Sequence, residues 1–240
     1  MQADLWFIYL LLVIGLGLVA FGAYAARVKA SVELKYVLSA SGAFLFGLIL
    51  LHLIPEVFSS SLPYAGVYVL IGFLIQLFLD YFSKGIEHGH IHSSRGLSSL
   101  VVFAGLCIHA FFEGFPVIDT AAASFKFNFP LLIGILAHKI PVIVVLVWLL
   151  NDSGFSKRNT LFMIGIFILM MPLGSLANIS LSMLMSDTSI YRPVVLSIVT
   201  GVLLHVATTI MYENDQHHHF NLRKTLAILA GFLLAALSAI

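Results

Sequence analysis

Eight long apolar runs separated by short polar breaks constrain this chain more than any other feature. They fall at about 5–26, 36–58, 64–86, 97–118, 129–150, 159–185, 194–213 and 222–240 of its 240 residues. About 20 mostly apolar residues suffice to cross the hydrocarbon of a bilayer. Hydrocarbon offers no partner to an open backbone group, so runs of this kind must be helical. The expectation is an all-α integral membrane protein: one transmembrane domain over 1–240, a bundle of about eight transmembrane helices. Composition agrees, because only 10% of residues are charged and 60% are hydrophobic. Soluble domains carry roughly 25% charged residues, so this chain could not cover a soluble surface.

The net charge of +1 argues against a nucleic-acid partner, which calls for a concentrated basic face. The single cysteine, Cys107, lies inside an apolar run, so an intramolecular disulfide is excluded. The first run follows Asp4 with no positive charge before it. A secretory signal would show a basic start and a shorter apolar core, so this run reads as the first helix. Basic residues in the breaks set the orientation. Arg27, Lys29, Lys35, Lys84, Arg95, Lys157, Arg158, Arg223 and Lys224 lie in odd-numbered breaks, against Lys126 and Arg192 in even-numbered ones. Both termini are therefore expected to be extracytoplasmic. The partner surface is a lipid bilayer, and compact loops suit a bacterial inner membrane.

Ionisable residues inside a membrane are costly and usually functional. The fourth run holds His109-Ala110-Phe111-Phe112-Glu113-Gly114, whose i, i+4 spacing stacks His109 and Glu113 on one helix face. The fifth run holds His138-Lys139-Ile140-Pro141, with His138 at a depth close to that of His109. Two imidazoles and a carboxylate can converge on one first-row divalent ion. The same groups could instead hydrogen-bond each other and lock two helices together, but two histidines and a glutamate at matching depth favour the metal. Pro141 is expected to disrupt its helix near Ala137, opening backbone beside His138.

Other polar residues extend the pattern. His52 and Glu56 in His52-Leu53-Ile54-Pro55-Glu56 form another i, i+4 pair, at the outer end of the second helix. They read as an external entrance or as an ordinary interfacial helix end. Gln76 and Asp80 lie toward the inner end of the third run, followed by Glu87-His88-Gly89-His90-Ile91-His92. With Asp80, the alternating His88, His90 and His92 suit a weak, exchangeable site at a cytoplasmic exit, or a solvated loop. His217, His218 and His219 form a second cluster beside Glu213 and Asp215, and His205 sits in the seventh run near Thr208 and Thr209. Pro172, Gly174, Ser175, Asn178, Ser180 and Ser182 supply small positions in the sixth run, where close helix packing is the simplest use.

Taken together, these residues resemble the ZIP (Zrt-, Irt-like) family of divalent metal transporters. The resemblance rests on eight spans with both ends outside, the His52–Glu56 segment, the histidine-bearing loop after the third span, the His109–Gly114 segment and His138–Pro141. Met171-Pro172-Leu173-Gly174 is similar to the family's Pro-x-Gly break. It implies import of zinc, iron, manganese or cadmium through a site between the fourth and fifth helices, with His109, Glu113 and His138 as ligands. Zinc is the first expectation, with iron and manganese next. The metal is cargo, and no cofactor is implied; a homodimer would be in keeping with membrane transporters. The sequence departs from the family at Val142, where the fifth-helix pattern usually carries glutamate. Members with two metals use polar or acidic residues where this chain has Ala110, Lys139, Val142 and Met171. One transported metal is expected, with Lys139 as a fixed cation where a second would sit. Binding should weaken as pH falls through about 6 to 7, since imidazole must be neutral to ligate. The contrasting readings are a binding or sensing membrane protein that no longer transports, and an intramembrane enzyme. The chain has no His-Glu-x-x-His, which disfavours the enzyme.

Overall fold

The computed structural model describes residues 2–25, 32–83, 97–120, 126–185, 188–212 and 221–238. The apolar runs form eight long helical spans. The first is α1 (Gln2–Ala25), and the second joins α2 (Val32–Leu48), a π-helical turn (Ile49–Leu53) and α3 (Ile54–Ser59). Then come α4 (Ala65–Ser83) and α5 (Leu97–Gly114), the latter extended by a 3-10 turn (Phe115–Val117). After them follow α6 (Phe129–Asp152), α7 (Lys157–Leu184), α8 (Thr188–Tyr212) and α9 (Leu222–Ser238). Seven of the spans are long and apolar enough to cross a membrane. The eighth, α9, has 17 described residues, about 25 Å of helix at 1.5 Å per residue.

Local sequence sets the helix starts. Asn128 caps α6 by accepting a hydrogen bond from the Leu131 amide at 3.2 Å, and Ser156 caps α7 through the Asn159 amide at 3.3 Å. Both satisfy amides that have no partner inside the helix. The stretch between α5 and α6 carries a two-residue antiparallel ladder of β1 (Ile118–Asp119) and β2 (Lys126–Phe127), with Asp119 opposite Lys126.

The prolines behave differently from one another. Each removes one amide donor and crowds the preceding turn. Before Pro55 the chain widens into the π turn, and the Ile54 amide donates to the Ile49 carbonyl five residues back. The expected interruption near Ala137 does not occur: α6 runs unbroken through Pro141, as α7 does through Pro172. Both prolines are buried, and a membrane helix tolerates one where its neighbours hold the turn in place.

The spans sort by packing into two groups. In one, α5 packs on α7, and α1 lies against α6 and α7; in the other, α2 packs on α9 and α8, and α4 packs on α8. The groups meet along α2–α6 and α4–α5. An apolar cluster built solely from α1, α5, α6 and α7 fills one end of the first group, including Leu16, Leu106, Leu146 and Phe167. A second cluster, with Leu45, Ile135, Met171 and Leu203, is shared between the groups.

Hydrocarbon gives apolar helices little reason to prefer each other over lipid, so close approach through small residues decides which ones pair. A methyl group on Gly114 would strike the Met171 carbonyl, and one on Gly174 would strike that of Phe111. These reciprocal glycines let α5 and α7 cross backbone to backbone. Gly72 and Gly201 do the same for α4 and α8, against the carbonyls of Ile198 and Val69. Between the groups, by contrast, a methyl on Gly134 of α6 would meet the tip of the Leu48 side chain at 2.6 Å.

Candidate metal centre

The α5–α7 crossing positions the acidic residue of the site. Gly114 seats the end of α5 on α7, and the preceding residue, Glu113, points into the interior with 1% exposure. His109, one turn earlier, is 2% exposed, and α6 brings His138 and Lys139 to the same place at 1% each. Each of His109, Glu113 and His138 offers one ligand atom, all lying within 4.8 Å of one another. Among the described residues no other group of three histidine, cysteine, aspartate or glutamate side chains converges in this way.

The two oxygens of Glu113 face different partners. Oε1 lies 3.3 Å from His109 Nε2 and 3.9 Å from His138 Nε2. Oε2 accepts a hydrogen bond from Lys139 Nζ in a buried ion pair. The imidazoles stand almost perpendicular, at 83° with ring centroids 6.2 Å apart. Lys139 Nζ also lies 5.0 Å from the centre of the Phe167 ring on α7, a favourable place for a desolvated cation. His109 Nδ1 is hydrogen-bonded to Gln76 Oε1 of α4 at 3.1 Å. Two nitrogens and one oxygen, mutually close and screened from water, make a donor set suited to a first-row divalent ion.

Three of the positions at which the sequence departs from the expected two-metal pattern are apolar and buried. Ala110, Val142 and Met171 are exposed by 0%, 2% and 2%. Lys139 supplies the remaining group, and as a permanent donor it cannot ligate while charged.

The other residues singled out in the sequence lie apart from this trio or outside the described residues. Glu56 is paired with Arg192 of α8, whose Nε also donates to Asp119 at 3.0 Å. A cavity of about 60 Å³ opens beside this cluster, lined in part by Glu56, Asp119, Asn178 and Arg192. His52 lies in the π turn, and its buried Nε2 has no hydrogen-bond partner among the described residues. Asp80 is half-buried on α4, one turn beyond Gln76. His205 stands edge-on to Phe73, with ring centroids 4.8 Å apart. His88, His90, His92, Glu87, Glu213, Asp215 and His217 to His219 lie outside the described residues.

In α7, Asn178 donates to the Phe115 carbonyl at 2.9 Å, holding the turn that follows α5. Ser175 is hydrogen-bonded to Tyr9 of α1. Two partnerships went unread in the sequence, Gln76 with His109 and Arg192 with Glu56 and Asp119. Gln76 had a signal, as an amide deep in an apolar run. Arg192 gave none, because an arginine at a helix end is ordinary.

The sequence model of the family described as ZIP Zinc transporter matches residues 83–239. That range takes in His109, Glu113, His138 and Lys139 and begins beyond His52 and Glu56. No curated protein matches the chain with significant similarity. With most of its length under that match and its apolar helices in place, the chain belongs to the ZIP zinc transporter family, multi-pass membrane proteins that move divalent metal ions rather than enzymes.

Proposed function

We propose that this chain, as a single transport domain, carries one divalent transition-metal ion at a time into the cytoplasm through a site formed by His109, Glu113 and His138. Zinc is the first candidate, followed by iron and manganese, since nitrogen and oxygen donors serve all three. The observation that carries the reading is the division of Glu113. One oxygen faces both imidazoles and the other is held by Lys139. The carboxylate therefore has one oxygen to give a metal, and a cation already fixed on its far side. A mononuclear site follows, with water or a residue of the second span completing the coordination. The inward direction rests on the likeness to the family, and the charge bias of the loops supports an orientation with both termini outside.

Transport requires that the site face each side of the membrane in turn. The packing supports a simple way to do this. Glycine crossings lock α5 to α7 and α4 to α8 at backbone level, while Gly134 of α6 meets only side-chain tips of α2 across the interface. Side chains can slide past one another where interlocked backbones cannot.

A second reading is a metal-binding membrane protein that does not transport. It draws on the same ion pair, because an incoming metal must share Glu113 with Lys139. Zinc uptake into sealed proteoliposomes separates the two. The expected result is saturable uptake by the native protein and none by the double variant His109→Ala, Glu113→Ala. Native protein that binds zinc yet takes up no more zinc, iron or manganese than empty liposomes would leave only the second reading.

A further inference from the structure

Gln76 is fully buried on α4, while Leu74, Leu77 and Phe78 beside it are exposed. A buried amide in an apolar setting costs on the order of several kcal/mol unless it is hydrogen-bonded. Its carbonyl meets His109 Nδ1 at 3.1 Å. On the other side of the same ring, Nε2 lies 3.3 Å from Glu113 Oε1. A neutral imidazole has one N–H and one lone pair, and the bond made by one nitrogen fixes the role of the other. If Gln76 accepts from Nδ1–H, the lone pair is left on Nε2, the atom facing Glu113 Oε1.

We propose that Gln76 is a positioning residue for the transported metal: it holds the His109 imidazole as the Nδ1–H tautomer and keeps Nε2 open for the ion. The inference rests on the reading of His109 as a ligand. It adds a role for the opposite helix group, because Gln76 belongs to α4 and His109 to α5. The α4–α5 contact thus sets whether His109 is ready to bind, and any sliding of the groups alters that bond. A ligand that is fully prepared in one arrangement and less so in another has a built-in difference in affinity, which release requires.

Three variants test this in purified full-length protein, with zinc as the probe and affinity measured by competition against a chelator. Gln76→Met keeps the length of the side chain and removes the acceptor. It should weaken zinc binding about 10- to 100-fold, the usual cost of losing such an outer partner. Gln76→Glu keeps an acceptor and should bind zinc at least as tightly as the native protein. His109→Ala should abolish high-affinity binding. Histidine-selective nitrogen-15 spectra, with the His109 signals assigned by subtracting those of His109→Ala, report the tautomer directly in the native protein without metal.

Protonated Nδ1 in the native protein and its loss in Gln76→Met support the proposal. An unprotonated Nδ1 in the native protein overturns it even if neither Gln76 variant folds. Native-like zinc affinity in Gln76→Met, or a tenfold loss in well-folded Gln76→Glu, also overturns it and leaves Gln76 as helix-to-helix glue. Unchanged binding by His109→Ala would instead remove the underlying site, and the tautomer proposal with it.

Discussion

The group of α1, α5, α6 and α7 buries a lysine, a glutamate and two histidines at one point, whereas the group of α2, α3, α4, α8 and α9 buries hydroxyls, one amide and His205. Among the residues whose side chains are described, the second group has no buried carboxylate, lysine or arginine. Burying a charge is expensive, and the expense is reduced only by good pairing. The first group keeps that pairing internal: Glu113 and Lys139 answer one another across α5 and α6, and Phe167 of α7 lies beside the cation. Its own apolar cluster completes it. The second group supplies a wall and the Gln76 contact. The contrast teaches that a buried ionic centre is concentrated where its charges can answer one another, here across α5 and α6 with α7 packed behind α5.

Removing one charge should disturb this arrangement most. Lys139→Met leaves Glu113 buried without its cation and should cost about 3–5 kcal/mol of stability, measured by thermal unfolding in detergent. Zinc should then stabilise the variant more than it stabilises the native protein, because the metal takes over the lysine's charge. A variant as stable as the native protein would show that the pair is not what holds the first group together.

Next in size is Gly174→Ala, which sets a methyl against a backbone carbonyl at the α5–α7 crossing. Overpacking of this kind costs about 1–3 kcal/mol, and zinc affinity should fall with it as Glu113 is displaced. Gly134→Ala is the matched control across the groups, since Leu48 can turn its methyl aside; less than about 1 kcal/mol is expected. Equal losses from the two substitutions would erase the distinction between backbone locks within groups and side-chain contact between them. The smallest effect belongs to Arg192→Ala. Arg192 joins Glu56 and Asp119 across the groups while remaining 31% exposed, and solvated pairs are worth about 0.2–1 kcal/mol. Stability should scarcely move, and the loss should shrink further in high salt.

The fold was largely legible because hydrocarbon leaves a long apolar run one conformation. Spans, polar breaks and the i, i+4 pairing of His109 with Glu113 all follow from sequence spacing. The prolines were less legible. The same ring chemistry accompanies a π turn before Pro55 and continuous helix through Pro141 and Pro172, because surrounding helices decide how a missing donor is accommodated. What the sequence determined by itself was therefore the membrane, the helices and the residue types able to hold a metal. Only the tertiary structure decided which oxygen of Glu113 faces the histidines and which faces Lys139, and that the amide of Gln76 meets His109 from another helix group. Helical periodicity relates residues within one span, whereas those partnerships join different spans. They depend on how α4, α5 and α6 come to lie beside one another, and that is settled by three-dimensional packing.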